Sequence, residues 1–441
     1  MTAARFYIET YGCQMNVADG ELMAGVLRRE GMEPCAEPDG ASVILVNTCA
    51  VREHAEERVI GRVGQLKRHK GKDTVLGVVG CMAQRLGERL LAQAPHVDFV
   101  VGPDGYRQLP QLVRRAREGD RTALTQFVSD EHYEDIVPVR RTAASAWITV
   151  QRGCDYRCTF CIVPYTRGPE RSRRLSDVVR EAQGLAVQGV SEVTLLGQTV
   201  NSWHDGDHDF ADLLRAIGAV DGLRRVRFTS PHPNDFSDRV VAAMAETAAV
   251  CEYVHLPAQS GSTPLLRRML RRYTREQYLD LVRRLRAAIP DLALSTDLIV
   301  GFPGETDADY EATLSLVREV GFDGAFTFRF SPREGTPATR LPDAVPDAVA
   351  AERLEGLIAL VRGTARARNA AAVGQTVEVL VEEQASRGGL QARTRQNRVA
   401  ILDGPASWIG TYRTVRLTGT TGATFTAVPA TPTLVVVGAG A

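Results

Sequence analysis

The sequence predicts an α/β protein in three parts: an N-terminal doubly wound parallel-sheet domain, a central partial (β/α)6 barrel and a C-terminal small β-barrel. Three observations predict it. From Arg5 to about Glu118, short β-rich apolar runs alternate with helical patterns. A second alternation begins at "AWITVQRG" and supplies six strand candidates, too few for a closed (β/α)8 ring. Beyond Val373, strand-like runs are joined by Gly-containing turns, the pattern of a small all-β unit.

The first domain, placed at residues 3–119, takes its strands from "RFYIETYG", "SVILVNTC", "TVLGVVGC" and "VDFVVG", each followed by a helix-like segment. The polar stretch "SDEHYEDIVPVRRT" breaks the rhythm and reads as a linker. The barrel, placed at 140–370, continues with "EVTLLG", "RVRFTS", "YVHLPA", "LALSTDLIVG" and "GAFTFRFS", and an Ala-rich helix near "AAERLEGLIALVRGTARARNAAA" ends it. The third unit, at 372–433, is read from "TVEVLVEE", "RVAIL" and "TYRTVRLTG", with "TPTLVVVGAGA" as a loose tail.

With 441 residues, 44% hydrophobic and 24% charged, the chain can bury a large core, and disorder is not expected. The opening "MTAARFYIET" has no signal pattern, and no apolar run approaches the roughly 18 residues that span a bilayer. A soluble, cytoplasmic chain without a membrane partner is expected. Lys plus Arg balances Asp plus Glu at 53 each, so a polyanionic partner must be met by local basic patches. Eight cysteines in a chain without an export signal argue against a disulfide framework and leave metal binding or burial.

The cysteines then sort by position. Cys154, Cys158 and Cys161 in "GCDYRCTFC" directly follow the first barrel strand, in a βα loop at the mouth, where this architecture places its chemistry. Zinc cysteines usually come as two separated pairs, and no second CxxC pair occurs, which makes zinc the weaker reading. A four-iron cluster held by three thiolates keeps one iron open to another chelator. Cys13, Cys49 and Cys81 each end or follow a strand of the first domain, so adjacent parallel strands bring them to one sheet edge. Three buried core cysteines would all have to fall at that edge by chance. Cys35 and Cys251 lie in connections leading into strands and read as structural.

CxxxCxxC in this setting resembles the signature of radical S-adenosylmethionine enzymes. Together "TYGCQMN", "VNTCAVRE", "VVGCMAQR", "GCDYRCTFCIVPYTRGPERSR", "LLGQTVNS", "HLPAQSGS" and "STDLIVGFPGET" resemble the methylthiotransferases of that superfamily, in particular the branch modifying N6-dimethylallyladenosine beside the tRNA anticodon. The resemblance implies two 4Fe-4S clusters on the six cysteines, S-adenosyl-L-methionine as methyl donor and radical source, and insertion of a methylthio group at adenine C2. It further implies a tRNA anticodon stem-loop as substrate; a ferredoxin- or flavodoxin-type electron donor, a sulfur donor and a monomeric chain are further expectations. Chemistry agrees: the C2 hydrogen is not acidic, so general acid-base groups cannot remove it. Relatives that modify threonylcarbamoyl-adenosine, or an aspartate of a ribosomal protein, and a non-catalytic zinc-stabilised RNA-binding protein are the competing readings.

Gln198 and Asn201 follow the second barrel strand, Ser230 the third, and Gln259 and Ser260 the fourth, so all are expected at the mouth as contacts for S-adenosylmethionine or substrate. "DLIVGFPGET" resembles the family's adenine-side motif, with Gly301 and Gly304 letting backbone approach the cofactor and Glu305 capping the next helix. Arg329 and Arg333 are candidates for the cofactor carboxylate or a tRNA phosphate. His232 is the better substrate contact and His255 a hydrogen-bonded strand residue. "TRGPERSRR" and "SRGGLQARTRQNR" supply basic patches, the latter resembling the TRAM domain of tRNA-modifying enzymes, with Arg387, Arg393, Arg395 and Arg398 as RNA contacts.

Overall fold

The structure, a computed structural model, describes residues 4–50, 53–140 and 144–430. The expected domain ends at residue 3 and at 431–433, and the tail from Thr431, lie outside the described residues. The first sheet contains β1 (Arg5–Thr10), β2 (Glu33–Pro34), β3 (Val43–Thr48), β4 (Val75–Gly80), β5 (Phe99–Val101) and β6 (Thr122–Leu124), in the order β2-β1-β3-β4-β5-β6. All of its pairings are parallel. β3 is buried along its whole length, because Val43 and Leu45 face one helix layer while Ile44 and Val46 face the other. α1 (Gln14–Arg29) and α5 (Leu109–Arg117) cover the first face; α2 (Glu53–Leu66), α3 (Cys81–Leu86) and α4 (Glu88–Gln93) cover the second. The expected linker differs from expectation: Tyr133 and Ile136 insert into the core beneath α1, so its polar composition hides two apolar anchors.

The barrel strands are β7 (Ser145–Thr149), then, after the short β8 (Gln151–Arg152), α6 (Val163–Arg167), β9 (Arg171–Ser172) and α7 (Leu175–Val187), β10 (Glu192–Leu196). A small hairpin, β11 (His204–Asp205) with β12 (His208–Asp209), leads through α8 (Phe210–Gly218) to β13 (Arg225–Phe228) and α9 (Asp238–Glu246). β14 (Tyr253–His255), α10 (Thr263–Arg268), α11 (Arg275–Ala288), β15 (Ala293–Val300), α12 (Asp307–Val320) and β16 (Gly324–Arg329) complete it. The six βα strands form two parallel sheets, β13-β10-β7 and β14-β15-β16, which meet at a Val226–Val250 bridge. β7 and β16 stand at the outer edges, which makes the barrel open as expected.

After α13 (Asp347–Ala372), five strands close a small barrel in the order β17-β18-β19-β21-β20: β17 (Thr376–Gln384), β18 (Leu390–Thr394), β19 (Val399–Leu402), β20 (Tyr412–Thr420) and β21 (Thr424–Pro429). It is bolted to β13 by two buried arginines. Arg225 donates to the carbonyls of Arg393 at 2.8 Å and Glu378 at 3.1 Å; Arg227 donates to those of Thr394 and Arg395, both at 2.8 Å. Glu192, 3.0 Å from Arg227 on the neighbouring strand, and Glu378, 3.3 Å from Arg225, balance their charge. Removing one partner of a buried charge set leaves the others without compensation. Arg225→Ala is expected to cost about 3 kcal/mol and to expose the small barrel to limited proteolysis; unchanged thermal unfolding and digestion would contradict this docking.

Candidate functional site

The first triad grows from the sheet edge. Cys13 caps α1 after β1, Cys49 follows β3, and Cys81 opens α3 directly after β4. β1, β3 and β4 are adjacent and parallel, so their carboxyl ends deliver all three thiols to one place. Asn16 fixes the loops: its amide donates to the carbonyls of Tyr11 at 2.9 Å and Thr48 at 2.8 Å. A side chain at Gly12 would place its Cβ 2.6 Å from Cys49 Cβ, so these two strand ends approach as closely as glycine allows.

The second triad lies in the loop between β8 and α6. Gln151 accepts from the amides of Gln198 at 2.8 Å and Thr199 at 3.1 Å, and Gln198 Oε1 accepts from Gly153 N at 2.6 Å. Thr159 N donates to Met269 O at 3.0 Å on the far side of the mouth. Cys154 Sγ lies 3.1 Å from Thr199 Oγ1, and Arg271 Nη1 donates to Cys158 Sγ at 3.3 Å. Burial pushes the Cys154 and Cys161 thiols up, Cys161 to about 12 with help from neighbouring Cys158, so a metal must displace their protons on binding.

The two triads face each other across one seam. Ala50, Cys81 and Ile162 pack together, as do Met15, Ala18 and Leu196. Arg167, six residues past Cys161, crosses the seam: its Nε donates to Cys81 Sγ at 3.1 Å and its Nη2 to Asn16 Oδ1 at 3.2 Å. Asp19, fully buried, is ion-paired with Arg167 at 2.7 Å and accepts a hydrogen bond from Arg152 at 3.1 Å. Soft sulfur donors suit zinc or iron-sulfur clusters. Among the described residues no three His, Cys, Asp or Glu side chains close on a single ion. A four-iron cube spreads its thiolates apart, and three sulfurs with guanidinium donors beside them fit that group.

Several expected contacts have other tasks. Asn201 Nδ2 donates to His232 O at 2.9 Å and its Oδ1 accepts from His232 N at 2.7 Å, a clasp between two loops. Ser260 is buried against Thr313 Oγ1 at 3.2 Å and accepts from Ser262 N, so its hydroxyl does not reach the mouth. Gly301 and Gly304 fit close against Ala350 and the Arg268 guanidinium respectively. Glu305 does not cap the next helix; Thr306 does, while buried Glu305 accepts from Gly301 N at 2.7 Å and pairs with Arg353 at 2.8 Å. Ser230 stays exposed, Gln259 is buried beside β15, and half-exposed Arg329 lies 3.8 Å from Asp347. His232 is buried and stacked on Tyr156 at 3.8 Å, its pKa driven down to about 2 by burial and by Arg271 and Arg272, so it stays neutral. His255 bonds Ser295 Oγ at 2.8 Å from its strand, as expected.

The basic segments also differ from expectation. "TRGPERSRR" is not a surface patch: Arg167, Arg171 and Arg173 are inside, with Arg171 2.9 Å from Asp104 and Arg173 2.7 Å from Glu181. Arg395 is held by Glu252 at 2.8 Å and by the carbonyls of Ala248 and Val250; Arg398 pairs with Asp323 and Arg393 with Glu382. These three arginines serve docking and barrel structure. Arg387 remains exposed, and β20 adds exposed Arg416, which the sequence reading missed. Arg167, Asp19 and Arg271 were missed as site residues too; the signal for the first was its place six residues past the CxxC.

Three family models match: uncharacterized protein family UPF0004 over residues 5–102, the radical SAM superfamily over 148–317 and the TRAM domain over 370–427. Fold and site define a radical S-adenosylmethionine enzyme with a second cysteine triad. The chain is 46% identical to the tRNA-2-methylthio-N(6)-dimethylallyladenosine synthase of Geobacillus thermodenitrificans, covering 94% of this chain and 81% of that one. It is 46% identical to the enzyme of that name from Moorella thermoacetica, with 94% and 95% covered. It belongs to this family. Among solved structures, the radical S-adenosylmethionine methyltransferase TsrM from Kitasatospora setae shares the fold, with TM-score 0.58 and 17% identity over 76% of this chain and 74% of that one. The cobalamin-dependent enzyme OxsB does so with TM-score 0.54 and 12% identity over 81% and 56%.

Gly153 sits at φ +77°, and a side chain there would run into the Pro169 carbonyl. Gly153→Ala is therefore expected to strain the loop by about 1–3 kcal/mol, displace its cysteines and lower iron retention by the second triad. Iron and sulfide analysis after anaerobic reconstitution checks it, with normal iron content as the contrary result.

Proposed function

We propose that this chain is a tRNA methylthiotransferase, inserting a methylthio group at C2 of N6-dimethylallyladenosine beside the anticodon. The observation that carries the proposal is the seam itself: two strand-end cysteine triads, one in a radical-enzyme barrel, face each other with Arg167 spanning them. We assign Cys13, Cys49 and Cys81 to one 4Fe-4S cluster and Cys154, Cys158 and Cys161 to the other. When bound, the clusters and S-adenosylmethionine supply a carbon-centred radical able to take hydrogen from an unactivated carbon, together with the sulfur and methyl group that replace it.

The chain's own residues hold this chemistry in place. Gln151 and Gln198 fix the cysteine loop, Thr199 and Arg271 meet its sulfurs, and Ala50 and Ile162 pack on Cys81 at the seam. Ser230, Gln259 and Arg329 are the proposed contacts for S-adenosylmethionine or the substrate. Exposed Arg387 and Arg416 give the small barrel its proposed phosphate contacts. A ferredoxin- or flavodoxin-type electron donor, a separate sulfur donor, a monomeric state and a cytoplasmic location complete the reading. Among the described residues no helix is long and apolar enough to cross a membrane.

Nucleoside mass spectrometry of tRNA from cells lacking the protein is expected to show loss of the methylthio-dimethylallyl nucleoside and accumulation of the unthiolated one; persistence of the former rejects the proposal. The anaerobically reconstituted protein is expected to hold about eight irons, falling by half when either triad is changed to alanine. Replacing Arg387 and Arg416 by alanine is expected to weaken tRNA binding and to lower the slope of log affinity against log salt by about 1 for each phosphate no longer neutralised. An unchanged slope would clear these two arginines of the role.

A further inference from the structure

Arg167 comes from the barrel chain, yet its guanidinium serves the opposite triad. Only 3% exposed, it donates to Cys81 Sγ at 3.1 Å and to Asn16 Oδ1 at 3.2 Å, and pairs with Asp19 at 2.7 Å. Asp19 is shared with Arg152 at 3.1 Å and accepts the Tyr106 hydroxyl at 3.3 Å. Two buried cations and one buried anion therefore leave one positive charge beside this triad. A resting four-iron core on three thiolates carries about one net negative charge, so the surroundings neutralise it. Hydrogen bonds to the sulfurs and nearby charge are the protein's means of setting a cluster's reduction potential. Cys13 is exposed, but Cys49, Cys81, Arg167 and Asp19 are buried, where such charges are screened less than in water.

We propose that Arg167 is a positioning residue that raises the reduction potential of the Cys13, Cys49 and Cys81 cluster from across the domain seam, with Asp19 opposing it. The inference rests on the reading that this triad holds a four-iron cluster. Losing the guanidinium removes both an N–H to sulfur bond and a positive charge, which favours the oxidised state. Losing the Asp19 charge does the reverse. A merely structural role for either residue has no reason to move the potential in opposite directions.

The test uses the full-length chain with Cys154, Cys158 and Cys161 all changed to alanine, so that the remaining cluster is titrated alone by EPR-monitored potentiometry. Arg167→Gln is expected to lower the ratio of reduced to oxidised cluster about tenfold at the parent midpoint, which is about 59 mV for one electron. Arg167→Lys, which keeps the charge, is expected to shift less, and Asp19→Asn to shift the midpoint the other way. Coincident midpoints in iron-loaded proteins overturn the inference and leave the cluster reading intact, as do shifts of one sign for Arg167→Gln and Asp19→Asn. Iron absent from the parent triple variant overturns the cluster reading and this inference with it. Should Arg167→Gln fail to fold, Asp19→Asn and Arg167→Lys decide the question alone.

Discussion

The buried ion set of Arg152, Asp19 and Arg167 is the constraint on which the working geometry depends. Apolar contacts across the seam, Met15 on Leu196 and Ala50 on Ile162, favour burial but are indifferent to direction. A buried carboxylate is not indifferent. Asp19, without exposure, must keep both guanidinium partners, since the loss of one partner in such a set costs about 3–5 kcal/mol. Asp19 lies on the helix begun at Cys13, and Arg167 ends the short helix begun just after Cys161. The pairing thus fixes the two cysteine loops against each other, where hydrophobic burial alone would let the domains slide.

The fold was largely legible because its periodicities are local. The three cysteine positions of the first domain were legible for a further reason: in a parallel sheet, strand ends share an edge, so a residue's place in its own strand gives its place in space. Side-chain partners are not encoded that way. "TRGPERSRR" carries the charge of a surface patch, but Arg167, Arg171 and Arg173 each find an acid or sulfur in another segment, and nothing local in the sequence records that. Asn201 and Ser260 were placed in the correct loops, yet loops need internal fastening, and these side chains supply it. β18 escaped notice because polar Gln391 and Arg393 masked a period-2 alternation whose inward residues, Leu390, Ala392 and Thr394, are buried.

The electrostatics of the two loops follow one plan with different sources. Cys158 receives a guanidinium from within its own barrel, at Arg271, whereas Cys81 receives one from the facing domain. The second arrangement makes the environment of the first triad conditional on assembly: a separated N-terminal domain would keep its thiols and Asp19 but lose both cations. Zinc, as a single ion, would draw no advantage from such a seam, since it needs its ligands close around one point.

The grip of Arg225 and Arg227 on the small barrel carries a consequence for how such a protein diversifies. Both arginines hold main-chain carbonyls, of Glu378, Arg393, Thr394 and Arg395, and a carbonyl is the same whatever side chain it carries. At those four positions the side chains of the small barrel can therefore change while the carbonyl contacts beneath them stay whole. The part of the fastening that reads only carbonyls tolerates such drift, while the Arg395–Glu252 and Arg398–Asp323 pairs tie the joint to particular side chains.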